Sequence, residues 1–116
     1  MKISVITATY NCAGTIAQAL DSVAAQEGAG IEHIVVDGAS RDGTVDVLQA
    51  RRTQLAQLVS EPDRGIYDAL NKGIALARGD VVGFLHADDL YADAQVLADV
   101  ARAFADLATE FGTTAV

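Results

Sequence analysis

Ile31-Glu32-His33-Ile34-Val35-Val36-Asp37-Gly38-Ala39-Ser40-Arg41-Asp42-Gly43-Thr44 reads as a strand, a polar loop and the first turn of a helix in direct succession. The apolar run at 31–36 is rich in Val and Ile and lacks polar alternation, as a strand covered on both faces does. Asp37-Gly38 and Asp42-Gly43 are turn formers. From Thr44 the apolar positions Val45 and Leu48 take up helical spacing, in a helix predicted to run to about residue 52.

The same succession recurs along the chain. Short apolar runs at 3–7, 55–59 and 81–85 are the other predicted strands. Between the first two strands, Ile16, Ala19, Leu20 and Val23 fall on one helical face, with Thr15 and Gln18 spaced as a capping box and Gly28 as the stop. A third helix carries Ile66, Leu70, Ile74 and Ala77 inward and ends at Arg78-Gly79. A fourth aligns Val96, Leu97, Val100, Phe104 and Leu107, with Asp93 as its N-cap. The order β-α-β-α-β-α-β-α implies right-handed crossovers and an open, mostly parallel sheet with helices on both faces, an α/β Rossmann-like fold. Residues 113–116 read as the start of a fifth strand that breaks off at Val116.

The chain has 116 residues, one domain's worth. Half of it is apolar, and with no Trp the core falls to Ala, Val, Leu and Ile. Eight basic residues against sixteen acidic ones give a formal charge of −8, which excludes a protein that grips a nucleic-acid backbone. An anionic small ligand is still allowed, because a bound cation reverses the local field. The single cysteine, Cys12, makes no internal disulfide and fits a reducing, cytoplasmic setting. The opening apolar run is too short for a signal peptide or a membrane span and reads as a buried strand.

Open α/β sheets bind ligands beyond the carboxyl ends of their strands. The polar residues there are Thr7, Thr9, Tyr10 and Asn11 after the first strand, residues 37–44 after the second, residues 60–65 with Arg64 after the third, and His86-Ala87-Asp88-Asp89 after the fourth. Asp88 and Asp89 repel each other, and the first is expected at the end of an apolar strand where water is scarce, so the pair calls for a cation or donors. Hard oxygen ligands suit Mg2+ or Mn2+, held by one or two carboxylates plus substrate phosphates. His86 reads either as a third ligand, favouring Mn2+, or as a histidine satisfied near the core edge. No G-x-G-x-x-G follows the first strand and no G-x-x-x-x-G-K-[ST] occurs, which argues against a nicotinamide dehydrogenase and a P-loop NTPase. Thr, Tyr and Asn in the first loop suit a base instead, with Arg64, Lys72 and the metal left for phosphates. Cys12 lacks the partners of a nucleophile and reads as a small buried residue.

Three segments in order resemble one family: residues 4–11 (SVITATYN), residues 32–44 (EHIVVDGASRDGT), and residues 60–73 (SEPDRGIYDALNKG) running on to 79–89 (GDVVGFLHADD). Together they resemble the N-terminal, donor-binding half of the family 2 glycosyltransferases, which have the GT-A fold. The resemblance implies that Thr7, Thr9, Tyr10 and Asn11 cup the base and ribose, and that Asp37 hydrogen-bonds the base. It places Arg64 at the diphosphate or base, and Asp88 with Asp89 at the metal in a D-x-D-like motif whose first position is His86. It also implies a hexosyltransferase that uses a UDP-sugar or similar donor with Mn2+ or Mg2+ and inverts the anomeric centre. The acceptor would be a saccharide or lipid-linked molecule in polysaccharide biosynthesis, with the protein cytoplasmic and peripheral to the inner membrane face. The general base lies in the family's C-terminal half and is expected beyond Val116. Residues 1–116 are therefore expected to be one domain that lacks it, a fragment or truncated product. Asp93, Asp99 and Asp106 do not stand in for it, because they lie in or beside a helix. The alternative is a module that binds nucleotide and metal and transfers nothing.

Overall fold

The computed structural model describes residues 1–28 and 30–111, with side chains described up to Leu107 in the last helix. The predicted strand at 113–116, Val116 included, lies outside the described residues. Strands β1 (Lys2–Thr9), β2 (Gly30–Asp37), β3 (Gln57–Ser60) and β4 (Val81–Phe84) alternate with helices α1 (Ile16–Ala24), α2 (Thr44–Ala50), α3 (Ile66–Leu76) and α4 (Val96–Phe111). The four strands form one parallel sheet in the order β3-β2-β1-β4. The predicted α/β doubly wound architecture is therefore the observed one.

Side-chain parity explains the two layers. Ile3 and Val5 of β1 and Val35 of β2 pack with Ile16, Leu20 and Leu48, so α1 and α2 cover one face. Ile6, Ile34 and Val36 point the other way and meet Ala69 of α3. With both faces of β1 and β2 covered, no polar alternation is needed. Chain order then fixes where the crossovers diverge: β2 and β3 extend the sheet from one side of β1, and β4 joins on the other. The crevice at such a reversal, at the carboxyl ends of β1 and β4, is where an open α/β sheet takes its ligand.

Local expectations differ from the structure in instructive ways. On α3 the expected inward stripe is rotated: Ile66 is 48% exposed and Ile74 46%, while Ala69 and Gly73 are buried. A Cβ at Gly73 would run into Ile6 Cγ2, so the helix seats on its smallest residues to approach the sheet closely. α3 ends at Leu76 with Ala77 extended, ahead of Arg78-Gly79. The capping box at Thr15 does not form; its hydroxyl donates to the Cys12 carbonyl at 3.4 Å. α1 stops at Ala24, short of Gly28, and α2 stops at Ala50. Asp93 accepts from Gln95 N–H at 2.7 Å in a turn just before α4 rather than capping it. Leu55 is buried but precedes β3, and Val82 and Phe84 on β4 are exposed where, among the described residues, β4 pairs with β1 alone.

Candidate functional site

The loop after β1 is stapled to the loop after β2. Ser40 Oγ accepts from Asn11 N–H at 2.8 Å, and Asn11 Oδ1 accepts from Arg41 N–H at 2.9 Å. Thr44 Oγ1 accepts from Cys12 N–H at 2.9 Å, and Asp42 accepts from Ala13 N–H at 3.1 Å. Asn11 stands in the left-handed region at φ 48°, which an Asn tolerates better than most residues. Its amide group thus holds the two loops together and does not line the cavity.

Asp37 lies beneath this staple at the end of β2, with no solvent exposure. Oδ1 accepts from Thr9 Oγ1 at 2.7 Å and Ser40 Oγ at 2.6 Å; Oδ2 accepts from Ser40 N–H and Ser60 Oγ, each at 2.9 Å. Burial works to raise its pKa, but the donors from Ser40, Thr9 and Ser60 outweigh burial and hold the carboxyl below its ordinary value. A carboxylate offers about four acceptor positions, and all are taken within the fold. In this structure the Asp37 side chain, expected at a base, ties β1, the β2 loop and β3 together.

Thr7, also expected at the nucleoside, is likewise bonded within the fold. It is fully buried on the α1/α2 side of β1, with Oγ1 2.8 Å from His33 Nε2. Burial pushes the His33 pKa down to about 4, so this ring is neutral at pH 7.

At the carboxyl ends of β1 and β4 a cavity of about 560 Å³ opens to solvent. Ala8, Thr9, Tyr10 and Cys12 form its β1 side; Asp63, Gly65, Ile66 and Ala69 form the side toward α3; His86, Ala87 and Asp88 close it after β4. Of the expected nucleotide contacts, the structure brings Thr9, Tyr10 and Asp88 together here. Tyr10 is 68% exposed, a free ring at the mouth. Arg64 is exposed and outside the lining; its N–H donates to Asp68 at 3.0 Å. Lys72 is drawn away by ion pairs to Glu61 at 3.0 Å and Asp68 at 3.7 Å. Burial raises the Cys12 thiol pKa, in keeping with an unreactive wall residue.

Asp88 and Asp89 are both exposed, and Asp89 N–H turns back to the His86 carbonyl at 3.0 Å. Among the described residues β4 pairs with β1 alone, and the loop beyond it is exposed here. Only Asp88 of the pair lines the cavity. No group of three His, Cys, Asp or Glu able to hold a metal occurs among the described residues. The donor set fits Mg2+ or Mn2+ bound by one or two carboxylates and completed by ligand phosphates, and it does not fit an all-protein cage. Sequence reasoning missed Asp63, Ile66 and Ala69 as lining residues, because nothing in their spacing shows that α3 begins at the cavity wall.

The glycosyl transferase family 2 model matches residues 4–111. The chain belongs to that family. It is 43% identical over 102 residues to an uncharacterized glycosyltransferase of Mycobacterium tuberculosis, covering 87% of this chain and 39% of the relative. The chain thus spans well under half the length of the curated relatives it matches. Staphylococcus aureus TarS, residues 1–349, in complex with UDP-GlcNAc superposes with a TM-score of 0.80 at 32% identity, over 92% of this chain and 32% of that one. The Pyrobaculum calidifontis mannosyltransferase PcManGT, in complex with GDP-Man and Mn2+, gives a TM-score of 0.77 at 34% identity, over 86% and 31%. The GT-A fold and the family 2 membership expected from the motifs are both established by these matches. Among the described residues no helix is long and apolar enough to cross a membrane.

Proposed function

We propose that the cavity at the β1/β4 crevice binds a nucleoside diphosphate sugar together with Mn2+ or Mg2+, for inverting transfer of a hexosyl group to an acceptor hydroxyl. The observation that carries this reading is the charge of the wall. Among the described residues its lining contains Asp63 and Asp88 and no Lys or Arg. Such a wall repels a diphosphate unless a cation comes with it. Two relatives of the same fold support it, one in complex with UDP-GlcNAc and one with GDP-Man and Mn2+.

Each wall then has a task. Tyr10 presents an exposed ring for stacking on a base, with Thr9 beside it. Gly65 and Ile66 bring the N-terminus of α3 to the cavity, its positive end toward phosphate. Asp88, with Asp89 beside it, would hold the metal. When bound, that ion would offset the negative charge that develops on the departing nucleoside diphosphate. The sugar, the acceptor, a cytoplasmic location at the inner membrane face and a general base beyond Val116 are parts of the proposal that the family resemblance supplies.

Titration calorimetry with UDP and GDP, with and without Mn2+, tests the reading. Mn2+ is expected to tighten binding in the parent, and Asp88→Ala to abolish that gain without changing Tm, since Asp88 is exposed. Equal affinity with and without Mn2+ in the parent overturns the metal assignment. Measured sugar transfer to an acceptor by the 116-residue chain would sink the alternative of binding without transfer.

A further inference from the structure

Asp37 is followed by Gly38, whose N–H donates to the Thr9 carbonyl at 2.9 Å. Gly38 is not among the glycines with positive φ, which among the described residues are Gly28, Gly43 and Gly65. Its backbone therefore admits any residue, and what demands glycine is space. A Cβ at Gly38 would lie 2.8 Å from Asp63 Oδ2 and 3.2 Å from Asp63 Cγ. The Asp63 carboxylate thus occupies the volume that a side chain at position 38 would fill.

Asp63 is well placed to use that position. It lines the same cavity as Thr9 and Tyr10. Gly65 N–H donates to its Oδ1 at 3.0 Å and fixes the group, while among the described residues its Oδ2 takes no hydrogen bond. Asp37, the carboxylate expected to serve a base, is saturated and sealed beneath the loop.

An ionised carboxylate only accepts hydrogen bonds. Toward a heterocycle it favours an edge that carries N–H, as uracil N3 and guanine N1 do, and repels the lone pairs of cytosine N3 and adenine N1. We propose that Asp63 is the residue that determines nucleobase specificity, its free Oδ2 accepting the ring N–H of a uracil or guanine nucleotide. Gly38 is then the glycine that leaves room for it. This inference rests on the nucleotide-sugar reading of the cavity.

The test is calorimetric binding of UDP, GDP, CDP and ADP in the presence of Mn2+ to the parent, to Asp63→Asn, and to the double variant Asp63→Ala with Gly38→Asp. The parent is expected to bind UDP or GDP about 10- to 100-fold more tightly than CDP and ADP, the worth of one hydrogen bond to a charged group. Asp63→Asn, whose amide both donates and accepts, brings that ratio to within about twofold, while the common contribution of the diphosphate persists. The double variant returns a carboxylate to the same volume from the other loop and restores the preference. A parent that binds UDP or GDP with a preference that survives Asp63→Asn overturns the role of Asp63 alone, as does a parent that binds all four equally. A parent that binds none of them overturns the nucleotide reading of the cavity, and this inference with it.

Discussion

Replacing Asp37 by Ala separates a strut from a ligand contact. The change strands four donors: Thr9 Oγ1, Ser40 N–H, Ser40 Oγ and Ser60 Oγ. Ser60 is exposed and Ser40 half-buried, so their hydroxyls turn to water at little cost. Thr9 is 3% exposed, and the Ser40 N–H is fixed by the backbone, so these two bear the loss. At about 1–3 kcal/mol for each buried donor left without an acceptor, and with relief from no longer burying a charge, the net destabilisation is about 2–4 kcal/mol. That lowers Tm by roughly 10 °C or more in a domain of this size. Asp37→Asn keeps one acceptor oxygen and forces its amide against a donor, for about half the loss.

Urea unfolding followed by circular dichroism at pH 7, with no ligand present, measures both variants. Acid unfolding adds a signed check. The folded pKa of Asp37 lies below its ordinary value of 3.8. Its stabilisation is therefore fully present above that ordinary value and is lost as pH falls through the folded one, and the Asn variant lacks this acid limb. Asp37→Ala within about 0.5 kcal/mol of the parent would refute the strut, since changes of that size are ordinary at surface positions.

His33 gives a second pH window. Its folded pKa of about 4 lies below the ordinary 6.5, so the unfolded chain binds the extra proton between those values. Stability is full above 6.5 and falls as pH drops toward 4, by up to about 3 kcal/mol, and His33→Gln should remove that slope; an unchanged slope defeats the assignment. Gly73→Ala should destabilise by about 1–2 kcal/mol, because a crowded contact with the Ile6 side chain outweighs the better helix propensity of Ala; a rise in Tm would show that α3 shifts freely on the sheet.

Much of the architecture was legible in the chain. The apolar runs of β1 and β2 are nearly continuous because both faces of those strands are covered, and the helices between the strands show 3.6-residue spacing, so element type and order follow from local pattern. Strand direction follows as well, since crossovers through helices make neighbouring strands parallel. With direction known, the polar loops after β1, β2, β3 and β4 had to gather at one edge, and Thr9, Tyr10 and Asp88 were found there by that argument alone. The stripe on α3 was misread for a related reason: periodicity counts large apolar residues, whereas the helix docks on Ala69 and Gly73, where small size permits close approach to Ile6.

What the sequence by itself determined is a parallel α/β sheet with an acidic, hydroxyl-bearing edge and motifs of a glycosyltransferase family. Only the tertiary structure decided which carboxylates face outward. Asp37 and Asp63 both follow a strand and both stand in turn-forming company, so nothing local distinguishes them. The difference arises because Thr9, Ser40 and Ser60 converge on Asp37 from separate segments and fill every acceptor position, while Asp63 lies over a residue without a side chain, lines the cavity and, among the described residues, keeps Oδ2 without a hydrogen bond. Hydrogen-bond saturation depends on the convergence of distant segments, and spacing along a single chain does not encode it.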